Sequence, residues 1–370
     1  MTHLVPAATD LAALRRRVSL LAEDRPAVYR MINPVGQVIY VGKSKKLRTR
    51  LLTYFRASFP YDKAARILTA AADIRWDYQP SDFAAHLSEL RHIKSHRPLY
   101  NVRMNRSRSW VLIKVSGGPA PKLYVGNAPS PGDVMHYGPF PSPTRVRDAV
   151  RTLNDLLGLR DCVLNMPIAY PEQGDLFGGE RRACCIRYEL NTCSGPCGAL
   201  VSEIEYRRKV RAAVDFLEGR SIKPLDQIVT EMDAASEENE FELATLWRTR
   251  FDSIEWLFAA VNRARAAIDS LSFVYTEPGA YGDEMSYVID RARVRAAAPA
   301  PRTPIEQEAF KALVIEHSGR ASSAGPIPAD DVDETLLLLS WFRNHPGAIR
   351  RTIPFERWLA PEPQQEPSPC

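Results

Sequence analysis

The chain has 370 residues, 45% hydrophobic and 25% charged, enough for two or three domains and unlike a collagen-like, mucin-like or wholly disordered polypeptide. No run of 18 apolar residues offers a membrane-spanning helix, and the first charges follow rather than precede the N-terminal apolar stretch, so a cytoplasmic, unprocessed chain is expected. The net charge of +5 hides an asymmetry: residues 1–120 carry 21 Lys and Arg against 8 Asp and Glu, net +13, and the remainder is net −8, so the first third is expected to meet a polyanion.

Leucine, alanine and valine recur at helical spacing over 9–23 and predict a leading helix. Two short apolar runs, Val28–Ile32 and Val38–Val41, flank Asn33-Pro34-Val35-Gly36 and predict a β-hairpin. A basic helix follows in KSKKLRTRLLTYF, and a third strand is expected over Ile74–Tyr78. Ser81–His96 reads as a helix capped by Ser81 or Asp82, with Phe83, Leu87, Leu90 and Ile93 as its apolar stripe and Pro98 as its stop. Short strands with Gly-Pro turns are expected over 110–140, then a helix over 144–158. A cysteine segment spans 160–200, and residues 203–219 and 222–264 are helical in pattern. Residues 270–295 alternate weakly, as strands do. Two Ala/Pro/Ser stretches, 297–304 and 322–331, look like linkers or long loops, and a helix is expected over Glu334–Phe342.

The expected class is α/β (α+β). It comprises a leading helix (1–24), a small α/β domain (25–101), a connecting β-containing segment with the cysteines (102–200), a helical region (201–264), a C-terminal extension without assigned role (265–360) and a disordered tail (361–370).

The hairpin carries chemistry. Tyr29 lies on its first strand and Tyr40 on its second, and antiparallel neighbours about 5 Å apart can share one site. Gly42 allows close backbone approach, and Lys43 follows it. Arg50 and Tyr54 are four apart on one helical face, Glu89 lies on a later helix, and Asn101 follows twelve residues on. This set resembles the GIY-YIG nuclease family: Ala27-Val28-Tyr29 is similar to its first signature and Tyr40-Val41-Gly42-Lys43 to its second, with Ala27 where glycine is usual.

The resemblance implies hydrolysis of a DNA phosphodiester. Glu89 would hold one divalent cation, Mg²⁺ or Mn²⁺, through hard oxygen contacts and waters. Arg50 would clamp the phosphate, Tyr54 would bind it, and Asn101 would fix the site by hydrogen bonds. Tyr29 or Tyr40 would be the base, which requires a lowered phenol pKa; the adjacent Lys43 has the right sign and favours Tyr40.

Five of the six cysteines lie between Cys162 and Cys197. Their ladder, Cys162-x22-Cys185-x7-Cys193-x3-Cys197, lacks the paired C-x2-C of zinc ribbons and resembles the cysteine segment of the UvrC family of excinuclease subunits, including its shorter Cho-type members. That implies a [4Fe–4S] cluster on Cys162, Cys185, Cys193 and Cys197 rather than zinc, with Cys184 spare. Residues 225–257 read either as a plain core helical pair or as a UVR-like hairpin, similar in its Met-x-x-Ala and Phe-Glu-x-Ala elements, which implies binding to UvrB and through it UvrA. Residues 265–370 show neither the paired acidic residues of a second nuclease nor terminal Gly-x-Gly hairpins.

The implied function is a single-strand incision, on the 3′ side by analogy, near lesions in double-stranded DNA during nucleotide excision repair. The alternatives are a stand-alone nuclease of defence or mobile-element type and a non-cutting DNA-binding adaptor.

Overall fold

The structure, a computed structural model, describes residues 10–57, 61–102, 110–173, 185–318 and 325–360. Helix α1 (Leu11–Leu21) starts at Asp10, whose carboxylate accepts from the Ala13 N–H at 2.9 Å. Strands β1 (Ala27–Ile32) and β2 (Val38–Ser44) form the expected hairpin, and β3 (Asp73–Tyr78) pairs with the other edge of β1, giving the order β2-β1-β3. Between β2 and β3 run α2 (Leu47–Tyr54) and α3 (Lys63–Ala70). Helix α3 was not expected, because eight residues are too few for a helical period to show. Helix α4 (Asp82–His96) is capped by Ser81, whose hydroxyl accepts from the Ala84 N–H at 3.1 Å, and a short α5 (Leu99–Val102) follows.

The period-two alternation of β1 decides what each sheet face meets. Tyr29 and Met31 join Tyr40, Leu47, Leu51, Tyr54, Ile67 and Ile74 in one buried cluster under α1–α3. Val28 faces the other way and packs with Val41 and with Ala85 of α4.

Strands β4 (Val111–Ser116), β5 (Leu123–Gly126) and β6 (Asp133–Phe140) form a second sheet, ordered β5-β4-β6. Helix α6 (Pro143–Leu157) ends at Gly158, whose φ of +66° suits glycine. Next come α7 (Ile186–Glu189), α8 (Glu203–Leu217), α9 (Lys223–Glu237) and α10 (Phe241–Asp269). Val111, Ile113 and Val115 share a core with Val150 and Leu153 of α6, Phe216 of α8 and Leu257 of α10.

The weak alternation after residue 270 is a meander, β7 (Phe273–Glu277), β8 (Met285–Ile289) and β9 (Val294–Pro299). The expected linker at 297–304 is corrected here: Ala297, Ala298 and Pro299 pair with Tyr287, Ser286 and Met285, since backbone pairing to β8 outweighs the poor strand propensity of alanine. Helix α11 (Pro304–His317) opens with a capping box between Thr303 and Glu306, a signal the sequence did carry. Helix α12 (Val332–Asn344) contains the expected 334–342 segment. Strand β10 (Thr352–Ile353) pairs with β7, so the third sheet is ordered β10-β7-β8-β9, and α13 (Phe355–Leu359) closes the described chain.

Two compact units result. One holds the described residues of 1–107, 271–321 and 333–370; the other holds those of 108–270 and 322–332. The C-terminal sheet therefore folds with the N-terminal α/β elements. Among the described residues no helix is long and apolar enough to cross a membrane. Cys184, Cys370 and the expected tail at 361–370 lie outside the described residues.

Candidate active site

In the hairpin register Tyr29 stands opposite Gly42 and Tyr40 opposite Met31, so the two phenols are diagonal rather than direct neighbours. Their ring centres are 6.2 Å apart. Tyr54, from α2, completes a triangle at 6.0 Å from Tyr29 and 6.4 Å from Tyr40. The hydroxyls of Tyr29 and Tyr54 are hydrogen-bonded at 2.9 Å, Arg50 Nε donates to the Tyr29 hydroxyl at 3.4 Å, and the guanidinium lies 5.4 Å from the Tyr54 ring centre. Gly42 makes this crowding possible. A Cβ there would lie 2.6 Å from Tyr29 Cζ and 3.0 Å from Tyr40 Cε1, inside van der Waals contact.

Burial pushes the phenols of Tyr29 and Tyr54 well above their ordinary value; Tyr40 adds to both rises, while the hydrogen bonds with Tyr54 and Arg50 partly offset that of Tyr29. The lowered pKa expected of a base is thus not found at Tyr29, which is fully buried. Tyr40 keeps 7% exposure.

Asn101 holds the strand between Tyr40 and Gly42. Its Oδ1 accepts from the Val41 N–H and its Nδ2 donates to the Val41 carbonyl, both at 2.8 Å. Glu89, half-buried on α4, accepts a hydrogen bond from the Lys43 backbone N–H; burial nevertheless raises its carboxyl to about 7, against the opposing charge of Lys43. A carboxylate with so little compensating charge suits a hard divalent cation, which would supply the missing charge through oxygen contacts. Lys43 Nζ lies 3.1 Å from Asp82 Oδ1 and Lys45 Nζ 3.4 Å from Asp82 Oδ2. Burial alone would raise Asp82, but these cations hold it below its ordinary value.

Cys162, Cys185, Cys193 and Cys197 are free thiols. Burial raises Cys193 and Cys197; Cys185 and Cys197 add to the rise of Cys193, and Cys162 and Cys185 to that of Cys197, so each of the four has at least one other within electrostatic reach. Among the described residues, however, no three His, Cys, Asp or Glu side chains are gathered as a metal site. The segment is pinned by polar contacts instead. Arg160 Nη1 donates to Cys162 Sγ at 3.2 Å, and Lys122 Nζ donates to the Cys162 carbonyl at 2.7 Å.

Residues 25–102 match the UvrC-like GIY-YIG domain family, and residues 110–216 match the UvrC/Cho excinuclease middle domain. The chain is UvrC-like. It is 32% identical over 232 residues to the UvrABC system protein C of Alcanivorax borkumensis, covering 62% of this chain and 36% of that protein. To the UvrABC system protein C of Alkalilimnicola ehrlichii it is 33% identical over 253 residues, 68% of this chain and 39% of the relative. The UvrC-like chain thus spans well under half the length of these curated relatives. A solved structure, the GIY-YIG N-terminal endonuclease domain of UvrC from Thermotoga maritima bound to magnesium, is 34% identical, covers 24% of this chain and 96% of that one, and has a TM-score of 0.22.

Sequence reasoning missed three residues around the UvrC-like site. Lys63 of α3 places Nζ 5.7 Å from the Tyr40 ring centre while donating to the Tyr100 carbonyl at 3.0 Å. Asp82, read only as a possible cap, is the partner of Lys43, and His86 Nε2 lies 3.7 Å from Asp82 Oδ2. Each joins the site by packing between elements far apart in sequence, and no local spacing announces that. A groove of about 630 Å³ also opens beside Tyr54, lined by Phe55, Leu11, Leu20, Arg15 and Arg16. Both arginines are exposed.

Proposed function

We propose that this chain is a metal-dependent endodeoxyribonuclease that makes a single-strand incision, on the 3′ side, near lesions in double-stranded DNA during nucleotide excision repair in the cytoplasm. The observation that carries this reading is the convergence of Tyr29, Tyr40, Tyr54 and Arg50 around Gly42, with Lys43, Glu89 and Asn101 on adjoining elements. Arg50, drawn to the phenol cluster, clamps the scissile phosphate and offsets its charge. Tyr40 takes the proton of the attacking water, and Lys43, paired with Asp82, places its positive charge near Glu89. Tyr29 and Tyr54, with raised phenols, stay protonated and orient Arg50 and the phosphate as donors. Asn101 keeps Tyr40 and Gly42 in place. Glu89 would hold Mg²⁺ or Mn²⁺, which when bound stabilises charge developing on the leaving oxygen.

The mutual influence of the four thiols and their ladder support a [4Fe–4S] cluster on Cys162, Cys185, Cys193 and Cys197. The α9–α10 hairpin exposes Phe241 and Leu246 near its turn, an apolar end that suits docking to UvrB, with UvrA reached through it.

The test is incision of a strand-labelled duplex bearing one bulky adduct, with UvrA, UvrB and Mg²⁺. A single 3′-side nick with wild type and none with Glu89→Ala is expected. Cutting that needs neither lesion nor partners points to a stand-alone nuclease, and DNA binding without cutting leaves only an adaptor.

A further inference from the structure

We propose that the C-terminal sheet and α12 serve as a brace that positions Lys43 for the reaction, acting through Trp341, His86 and Asp82. The elements of this brace lie beyond both family matches, which end at residues 102 and 216. The inference rests on the nuclease reading for its catalytic consequence, but the brace itself stands on packing.

The physical path is short. Phe83, in the first turn of α4, is fully buried, and its wall is built by the C-terminal elements. Its ring meets Tyr287 of β8 at 4.8 Å and Tyr275 of β7 at 5.1 Å, both edge-on, and Trp341 of α12 at 5.1 Å. Edge-to-face pairs of this kind fix orientation as well as burying area. One turn further along α4, His86 stands edge-on to Trp341 at 5.6 Å. Trp341 is itself set by a hydrogen bond from Nε1 to the Tyr275 hydroxyl at 3.3 Å and by stacking on His345 at 3.9 Å. The Ala280 N–H donates to the Pro80 carbonyl at 2.8 Å, tying the β7–β8 connection to the residue before the Ser81 cap. The start of α4 is therefore held on its outer side by three aromatic rings and a backbone bond.

Its inner side carries the charges. Asp82 sits between His86 on the braced side and Lys43 and Lys45 on the site side. Burial, with the charge of Lys43, lowers His86 to about 4, so the ring is neutral and acts as a wall that leaves Asp82 to the lysines. Lys43 in turn gives its backbone N–H to Glu89, three residues beyond His86 on the same helix. Trp341, His86 and Asp82 are thus positioning residues. A rotation of the first turn of α4 would move Asp82, and with it the Lys43 ammonium, relative to Glu89, and an ångström of misplacement is enough to slow a reaction strongly.

The test compares the full chain with Asp82→Asn, Trp341→Ala and Trp341→Phe, each shown to be folded by circular dichroism. The first readout is acylation of Lys43 by a limiting amine reagent, quantified by peptide mass spectrometry. Losing the ion pair frees the Lys43 side chain and opens its surroundings, so Asp82→Asn raises Lys43 labelling several-fold. Trp341→Ala is expected to raise it in the same direction and to lower the nicking rate about tenfold at saturating Mg²⁺ and DNA, with Trp341→Phe restoring both. A folded Trp341→Ala with wild-type Lys43 labelling overturns the brace. If labelling responds as expected but wild type never nicks DNA, the brace stands and the nuclease reading falls.

Discussion

Glu89→Gln separates two consequences of one carboxylate. Burial holds the Glu89 carboxyl at about 7, against an ordinary 4.5. Ionising it is therefore less favourable in the folded than in the unfolded chain by at most about 3 kcal/mol. A raised folded-state pKa contributes stability that is complete below about 4.5 and lost as the pH rises through about 7. Glutamine keeps the shape and can still accept from the Lys43 N–H, but it never ionises. In EDTA the variant should match wild type at about pH 4.5 and be the more stable at about pH 8. For a unit of about 200 residues the difference at the higher pH corresponds to at most about 5–10 °C in Tm. Adding Mg²⁺ at the higher pH should stabilise wild type and leave the variant unmoved. Thermal melts of the full chain by circular dichroism, at both pH values with EDTA or Mg²⁺, read all of this. A variant less stable than wild type at high pH in EDTA, or a difference that ignores pH, refutes the description of Glu89 as a buried carboxylate short of compensating charge.

Gly42→Ala places a methyl against Tyr29 and Tyr40; it should destabilise by about 1–3 kcal/mol and abolish nicking, and wild-type activity in this variant would mean the tyrosines need not sit as described. Asn101→Ala removes both side-chain bonds to Val41 and should cost about 1–3 kcal/mol in a urea titration, whereas no change in midpoint would assign Asn101 no structural part. Reversing Arg15 and Arg16 to glutamate should weaken binding of a DNA duplex and flatten its salt dependence by about one or two charges; an unchanged slope places the DNA elsewhere than the groove beside Tyr54. Cys193→Ser should abolish visible absorbance and bound iron in protein purified without oxygen, and iron-free wild type with a normal fold would dismiss the cluster.

The nuclease-like signature was legible because local rules sufficed for it. The hairpin needs only two apolar runs around a turn, α4 shows its cap and stripe, and Tyr29, Tyr40, Arg50 and Tyr54 fall on those elements at spacings that bring them together. The cysteine ladder was equally plain, yet spacing says which thiols are neighbours and not whether they are gathered, which depends on how the segment is pinned by Arg160 and Lys122.

Other features were decided only by tertiary packing. Helix α3 was too short to declare itself, so Lys63 beside Tyr40 could not be foreseen. The alanines of β9 follow their neighbour strand rather than their own propensity. Above all, the sequence placed residues 265–360 at the far end of the chain with no role, and nothing local in Tyr275, Tyr287 or Trp341 says which surface they cover. Their partner is Phe83, some two hundred residues earlier, and that pairing exists only because burying four aromatic rings together is more favourable than leaving any of them in water. Local propensity and spacing fixed the elements and the chemistry they carry; long-range burial chose which elements share a site.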